Sequence, residues 1–403
     1  GYQSQDNAKR HVREGKMQQI VKSYRRLGAC QANAICASYH RRRIVSWATA
    51  CLIASGIVAG SSVASAQALK MVTVAAPGPI SPSSAAMVAA KKLGFLSQEG
   101  LDLDIVVIRG PAQLAQLITK NITVAWTSPS WLVVNRQPGK DYAPVKFFYN
   151  YNRTNSWQIA VPEKSPIKRL QDLKGKTLGI AIAAGGPVAV TSAILNEAGL
   201  KPDQDVKFLV VGQGSAAFRA FTTGEIDAIN LIDVRHAAME VRGIKIRRLK
   251  LPRKYTVIPS ASFAAHEDTI KNDAKTLIGF GRAVAKATHF CDENPVACIK
   301  LYWQVYPNKK PTKGSEAQKL KGQLYILKIR LKNHLRLPGG DESLLGQFTP
   351  RAIRTIVDTF YAAKIIKTKN IPPESIYTNE FLLAINNFDT HRIREMARRY
   401  TVN

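Results

Sequence analysis

The sequence predicts an α/β fold built of mainly parallel sheets flanked by helices. Three observations carry that prediction. From Leu69 onward, short apolar runs alternate with stretches of helical apolar spacing, the pattern of βαβ units. The alternation restarts near Gln158 as a second series. Beyond residue 266 only the helical spacing remains.

In the first series, strands are expected over Met71–Ala75, Leu103–Ile108, Ile122–Trp126 and Val145–Tyr151. Helices over about Ser83–Leu93 and Ala112–Thr119 lie between them. The second series places strands at Gln158–Val161, Thr177–Ile182, Phe208–Val211 and Ala228–Leu231. Its helices are expected over Ser165–Leu173, from the Ala184-Gly185-Gly186-Pro187 opening through Ala198, near Ala216–Thr222, and after Asp233. Ser260–Ala264 reads as a returning strand. Helices over Lys271–Asp292, Pro295–Tyr306, Glu316–Leu335 and Thr349–Ala363 follow. The basic run Lys319, Lys321, Lys328, Arg330 and Lys332 is read as a solvated helix face, with Leu324, Leu327 and Leu331 inward.

The segment before Leu69 has a different character. Residues 1–40 show no periodicity and are expected to form a disordered extension. Arg41–Arg43, the apolar run from Ile44 to Ala59 and the small residues Ala64-Ser65-Ala66 follow in the order of an export peptide, assigned to 41–66. The run is too short and too rich in small residues for a good membrane span. The pair Arg41-Arg42 leaves the general and twin-arginine routes both open.

With 45% apolar and 8% aromatic residues among 403, the chain has the composition of a folded protein. Its net charge is +30, and the first 66 residues hold only ten of the 58 basic side chains. Such a field attracts anions. Export makes nucleic acid an unsuitable partner and favours a small anionic ligand. Two of the five cysteines, Cys291 and Cys298, lie beyond the export peptide. On one straight helix their Cα atoms would stand about 10 Å apart, too far to bridge. Asn294-Pro295 interrupts that helix, so a disulfide and a pair of buried thiols both stay open.

Ligands of open α/β sheets bind beyond the carboxyl ends of strands. The residues expected there are Pro79, Ser81, Ser83, Arg109, Ser128, Ser130, Gly185, Gly186 and Asp233, with Asn152 at the crossing between the two series. Small and hydroxyl residues at helix entrances expose backbone N–H groups that hold anions. Trp126 is expected in the core, and Trp131 and Trp157 in core or hinge packing. His236, His266, His289, His334 and His391 show no metal-ligand spacing and are read as surface residues. No nucleophile elbow or phosphate-binding glycine loop accompanies them. No catalytic group, metal or cofactor is therefore expected.

Several motifs in order carry a family resemblance. They are Lys91-Lys92-Leu93-Gly94-Phe95 with Glu99-Gly100-Leu101, Ser165-Pro166-Ile167 with Asp172-Leu173-Lys174-Gly175-Lys176, and Glu197-Ala198-Gly199-Leu200. Gly224-Glu225-Ile226-Asp227-Ala228, Asn294-Pro295 and Ile376-Tyr377-Thr378-Asn379-Glu380-Phe381 complete the series. In these the chain resembles the periplasmic substrate-binding proteins of ABC importers in the nitrate, sulfonate, taurine and thiamine-pyrimidine-precursor group. The resemblance implies a type II periplasmic binding protein of two lobes: residues 69–152 open lobe 1, 153–260 form lobe 2, and 261–403 return to lobe 1 and end in helices. It further implies a monomer in the periplasm, with hinges near Asn152–Asn155 and Pro259-Ser260. Such a protein captures a small, anionic, sulfonate-like solute and docks on an ABC permease in the inner membrane.

The family often has Trp where this chain has Ile232, and a small residue at Arg109, which could pair with a ligand carboxylate or sulfonate. A protein of thiamine-pyrimidine-precursor binding or synthesis is the alternative on the same fold. The synthesis enzymes would need a cysteine cluster and a cytosolic setting. A sensor module would need a fused membrane or signalling segment.

Overall fold

A computed structural model of the chain describes residues 68–402 apart from 111 and 184. The expected extension over 1–40 and export peptide over 41–66 lie outside the described residues. No helix of the described residues is long and apolar enough to cross a membrane.

The chain begins with β1 (Lys70–Ala76), α1 (Ala85–Lys92), β2 (Leu101–Val107), α2 (Ala112–Ile118), β3 (Val124–Thr127), α3 (Pro129–Asn135) and β4 (Val145–Tyr149). It then crosses to β5 (Trp157–Pro162), β6 (Lys176–Ile180), α4 (Gly186–Glu197), β7 (Val206–Val210), α5 (Ser215–Thr222), β8 (Ala228–Ile232), α6 (Asp233–Val241) and β9 (Ile246–Arg248). It returns through β10 (Ser262–His266) into α7 (Glu267–Asn272), α8 (Ala274–Glu293), α9 (Pro295–Val305), α10 (Glu316–Leu335), α11 (Pro350–Ala362), α12 (Leu382–Ile385) and α13 (Thr390–Arg399).

Two five-stranded sheets result, ordered β2-β1-β3-β10-β4 and β7-β6-β8-β5-β9. The β1–β2, β1–β3, β6–β7 and β6–β8 pairs are parallel, whereas β10 and β5 run antiparallel to both their neighbours. Each sheet is thus mainly parallel with one reversed strand, and that strand lies next to a crossing. Val72, Val74, Ala75 and Ala76 of β1 are all buried, as a parallel strand covered on both faces requires. The two crossings are tied side by side. Asn152 N–H donates to Ala261 O at 3.0 Å, Ser260 N–H to Asn152 O at 2.9 Å, and Ser156 N–H to Ser260 Oγ at 2.7 Å. Helix α11 packs on α4, so one apolar cluster runs from the first lobe into the second.

Local chemistry accounts for the elements. Ser315 and Gln318 form a reciprocal capping box that starts α10. Asn294 caps α9, accepting from Ala297 N–H at 3.0 Å, and Pro295 occupies its first turn. The break between α8 and α9 brings the Cα atoms of Cys291 and Cys298 within 5.1 Å, and the two form a disulfide. Of the two readings left open for these cysteines, the bridged one holds.

Other expectations need correction. The helix over Ser165–Leu173 shrinks to a 3-10 turn at Leu170–Leu173, bounded by Pro166 and by Gly175 at φ 74°. The short elements α3, β9, α7, α12 and α13 were unforeseen. His236, His266, His289 and His334 are buried rather than on the surface. Burial pushes the imidazole of His236 down to about 3, with Arg248 adding to the effect, and pushes His334 well below the usual value. Both are neutral core residues.

Candidate functional site

A cavity of about 450 Å³ lies where the carboxyl ends of the two sheets face one another, a size within the roughly 300–1,000 Å³ of small-molecule sites. The first lobe contributes Pro77–Pro79 after β1, Arg109 after β2, and Thr127-Ser128 after β3. The second contributes Ala181-Ile182 after β6, Gly212–Gly214 after β7, and Ile232 at the end of β8. The floor is the double crossing, at Asn152, Ser156, Ser260 and Ala261. Gln113, buried on α2, locks the rim by donating to Ala75 O at 2.9 Å and Trp126 O at 3.1 Å.

The predicted site residues divide into two groups. Pro79, Ser83, Arg109, Ser128 and Asn152 line the cavity. The Oδ1 of Asn152 faces His334 Nε2 at 3.0 Å, which fixes the amide. The structure does not bring Ser81, Ser130, Gly185, Gly186 or Asp233 to the wall. Ser81 stands behind it, its Oγ 2.8 Å from that of Ser83. Ser128 Oγ caps α3 by accepting from Ser130 N–H, while Ser130 itself is buried. Gly185 and Gly186 meet the opposite lobe: a Cβ on Gly185 would sit 2.1 Å from the Trp131 ring, and one on Gly186 would sit 2.6 Å from Ser130 Cβ. Gly185 also has φ 116°, where a side chain is strained. These glycines serve the close approach of the lobes.

Asp233 is a structural anion. Its Oδ1 accepts from Arg330 Nη2 at 2.9 Å and from Val234 N–H at 2.7 Å, and its Oδ2 accepts from Asn333 Nδ2. Burial raises its carboxyl from the ordinary value, opposed by the Arg330 guanidinium and by the Val234 and Asn333 donors. Arg330 belongs to α10, so the expectation of a solvated face fails at this residue: its side chain is 2% exposed, whereas Lys321, Lys328 and Lys332 are in solvent.

Sequence reasoning missed Arg235 and Arg330 as lining residues. Arg235 comes from the first turn of α6 and its guanidinium reaches the loop after β1, since a Cβ on Gly78 would lie 3.8 Å from its Nη2. The Nε of Arg235, and the Nε and Nη1 of Arg330, are buried without a hydrogen-bond partner in the protein. Burial first, then the fields of Arg330, Arg242 and Arg109, pulls the Arg235 guanidinium below its usual value. None of the described residues lining the cavity is Asp or Glu. Trp126, Trp131 and Trp157 supply the apolar wall. Trp126 also packs edge-on against Tyr151 at 5.5 Å, so the core role expected for it is combined with a face to the cavity. A signal for Arg330 existed: with Leu327, Leu331 and His334 it falls on the i, i+3, i+4, i+7 stripe that faces inward.

Two lobes joined by paired crossings and closed around a cavity at their strand ends define a periplasmic binding protein fold. Solved structures share it. The alkanesulfonate-binding protein SsuA of Xanthomonas axonopodis pv. citri, bound to MOPS, matches with a TM-score of 0.56 at 17% identity, over 77% of this chain and 98% of that one. The periplasmic aliphatic sulphonate binding protein SsuA of Escherichia coli gives 0.55 at 19% identity, over 77% and 92%. The chain belongs to the NMT1/THI5-like family, whose model matches residues 81–298. Among curated relatives, the binding protein YtlA of Bacillus subtilis (strain 168) is 24% identical over 212 residues. The match spans 52% of this chain and 63% of YtlA, less than two thirds of that relative. A thiamine biosynthesis protein of Haemophilus influenzae is 25% identical over 240 residues, 58% of this chain and 71% of that one.

Proposed function

We propose that this protein is the solute-binding component of an ABC importer, working as a monomer in the periplasm. It captures a small organic anion between its lobes, delivers it to a membrane permease, and breaks no bond in doing so. The observation that carries this reading is the cavity itself: three guanidinium groups and three indoles face it, with no carboxylate among its described lining residues. Such a lining suits an anion with an apolar body and offers no general acid or base at the reacting distance an enzyme needs. The sulfonate-binding names of the structural neighbours agree with this choice of ligand. Closure excludes water and strengthens each contact.

A second reading is favoured by the three indoles, which would also stack on a flat heteroaromatic ring. That would make the solute a thiamine-pyrimidine precursor, in line with the name of the Haemophilus influenzae relative. Calorimetric titration with sulfonates, nitrate, pyrimidines and aromatic carboxylates separates the two. A tight-binding sulfonate or carboxylate recovered unchanged supports the first reading, and a pyrimidine that binds alone supports the second. Turnover of any compound would overturn both.

A further inference from the structure

The position of the unpartnered donors narrows the ligand further, and this step rests on the solute-binding reading above. Arg330 is almost fully buried, and its Nη2 is committed to Asp233. Its Nε and Nη1, and the Nε of Arg235, are left without protein acceptors beside a cavity that both residues line. A buried donor without an acceptor is costly, and an oxygen-rich anion beside the two side chains supplies acceptors that the protein does not. Arg109 is exposed at the mouth and has no such orphaned donor. Trp126, Trp131 and Trp157 complete the wall.

We propose that Arg235 and Arg330 form the head-group subsite of the cleft, and that the solute is an aromatic molecule with one oxyanion head, a sulfonate or carboxylate, and no cationic group. The oxyanion accepts from an unpartnered donor of Arg330 and from the Nε of Arg235, and the ring lies against the indoles. Two members of the wider solute group are thereby excluded. Taurine carries an ammonium, and no lining carboxylate meets it; that ammonium would face the guanidinium groups instead. Nitrate has the oxygens but no body to cover three indoles in a cavity of about 450 Å³.

The positive charge of Arg235 is also opposed by those of Arg330, Arg242 and Arg109. Arg235→Gln should therefore leave the ligand-free protein at least as heat-stable as the parent while weakening anion binding, a combination that loss of packing alone does not produce. Titration by calorimetry would compare toluenesulfonate, benzoate, the neutral methyl phenyl sulfone, taurine and nitrate on the parent, on Arg235→Gln and on Arg109→Gln. The expected result is an aromatic sulfonate or carboxylate at least about ten-fold tighter than the sulfone, taurine and nitrate, the stronger of the two acids naming the head group. Arg235→Gln should remove at least about ten-fold of that affinity, and Arg109→Gln should give a smaller loss that fades in salt. Equal binding of the anion by parent and Arg235→Gln, or of taurine and toluenesulfonate by the parent, overturns the subsite and leaves solute capture standing. If none of the five binds and the pyrimidines of the wider titration do not bind either, the solute-binding reading fails with it.

Discussion

Replacing Arg330 by Met would remove the positive partner of Asp233 while keeping most of the volume in α10. The carboxylate left behind is buried, retaining only the Val234 N–H and the Asn333 amide. Breaking a buried pair from one side costs about 3–5 kcal/mol, far more than a surface bridge. For a folded part of this size the unfolding entropy converts that to a loss of about 6 °C in Tm. The loss has a pH signature. Burial already raises the Asp233 carboxyl, and removing Arg330 raises it further. A carboxyl whose folded value exceeds its unfolded value of about 3.9 favours folding only while protonated. Its contribution is complete below the unfolded value and is lost as pH climbs through the folded one. Arg330→Met should therefore be penalised least in acid and most at neutral pH and above. Urea unfolding followed by tryptophan fluorescence at pH 5 and pH 8 measures this, with the double variant Asp233→Asn/Arg330→Met expected to recover most of the stability. A penalty under about 1 kcal/mol, or one equal at both pH values, would refute the claim that Asp233 is an ion held by Arg330.

Two further outcomes test the closure and the C-terminal helices. Gly185→Ala should weaken ligand binding by about ten-fold or more, because its Cβ would meet the Trp131 ring at 2.1 Å and hold the lobes apart. Trp131→Ala added to it should restore stability but not the lost indole contact, which thermal unfolding with and without ligand distinguishes. Replacing both Cys291 and Cys298 by Ser should cost about 2.5 kcal/mol, the chain-entropy value for so short a loop, seen as a lower urea midpoint at an unchanged slope. A larger cost would mean that the buried hydroxyls, and not the lost cross-link, dominate.

Much of the architecture was legible in the chain because it is written in short-range patterns. The α10 boundaries at Glu316 and Leu335 follow from the Ser315–Gln318 cap and a regular apolar stripe. The alternation of β and α segments gave both sheets. The elements that escaped carry too little local signal. In β9 the strand is Ile-Arg-Arg, paired only along one edge, and α13 is rich in arginines, of which Arg394 and Arg398 pair with Asp292 and Glu293 of α8. The loops at the strand ends could be named from turn chemistry, which is why Pro79, Ser83, Arg109 and Ser128 reach the cavity. The deeper cations could not. The apolar stripe turns Arg330 inward, but only the tertiary packing of α10 brings it beside the strand-end loops, and its neighbouring lysines are solvated. Asp233 resembles a ligand group in the sequence because its partner Arg330 lies 97 residues away, outside any local window.

The placement of β10 has a consequence for how the molecule is made. It is seated between β3 and β4, yet it is encoded after the whole of the second sheet. A growing chain therefore has every strand of the second lobe available while the first still has a gap in its middle, and β3 and β4 cannot be joined until residues 262–266 arrive. The inserted lobe is the natural first folding unit, and the flanking lobe must hold open-edged strands in waiting. Any helper that shields unpaired strand edges during biogenesis would act on β3 and β4.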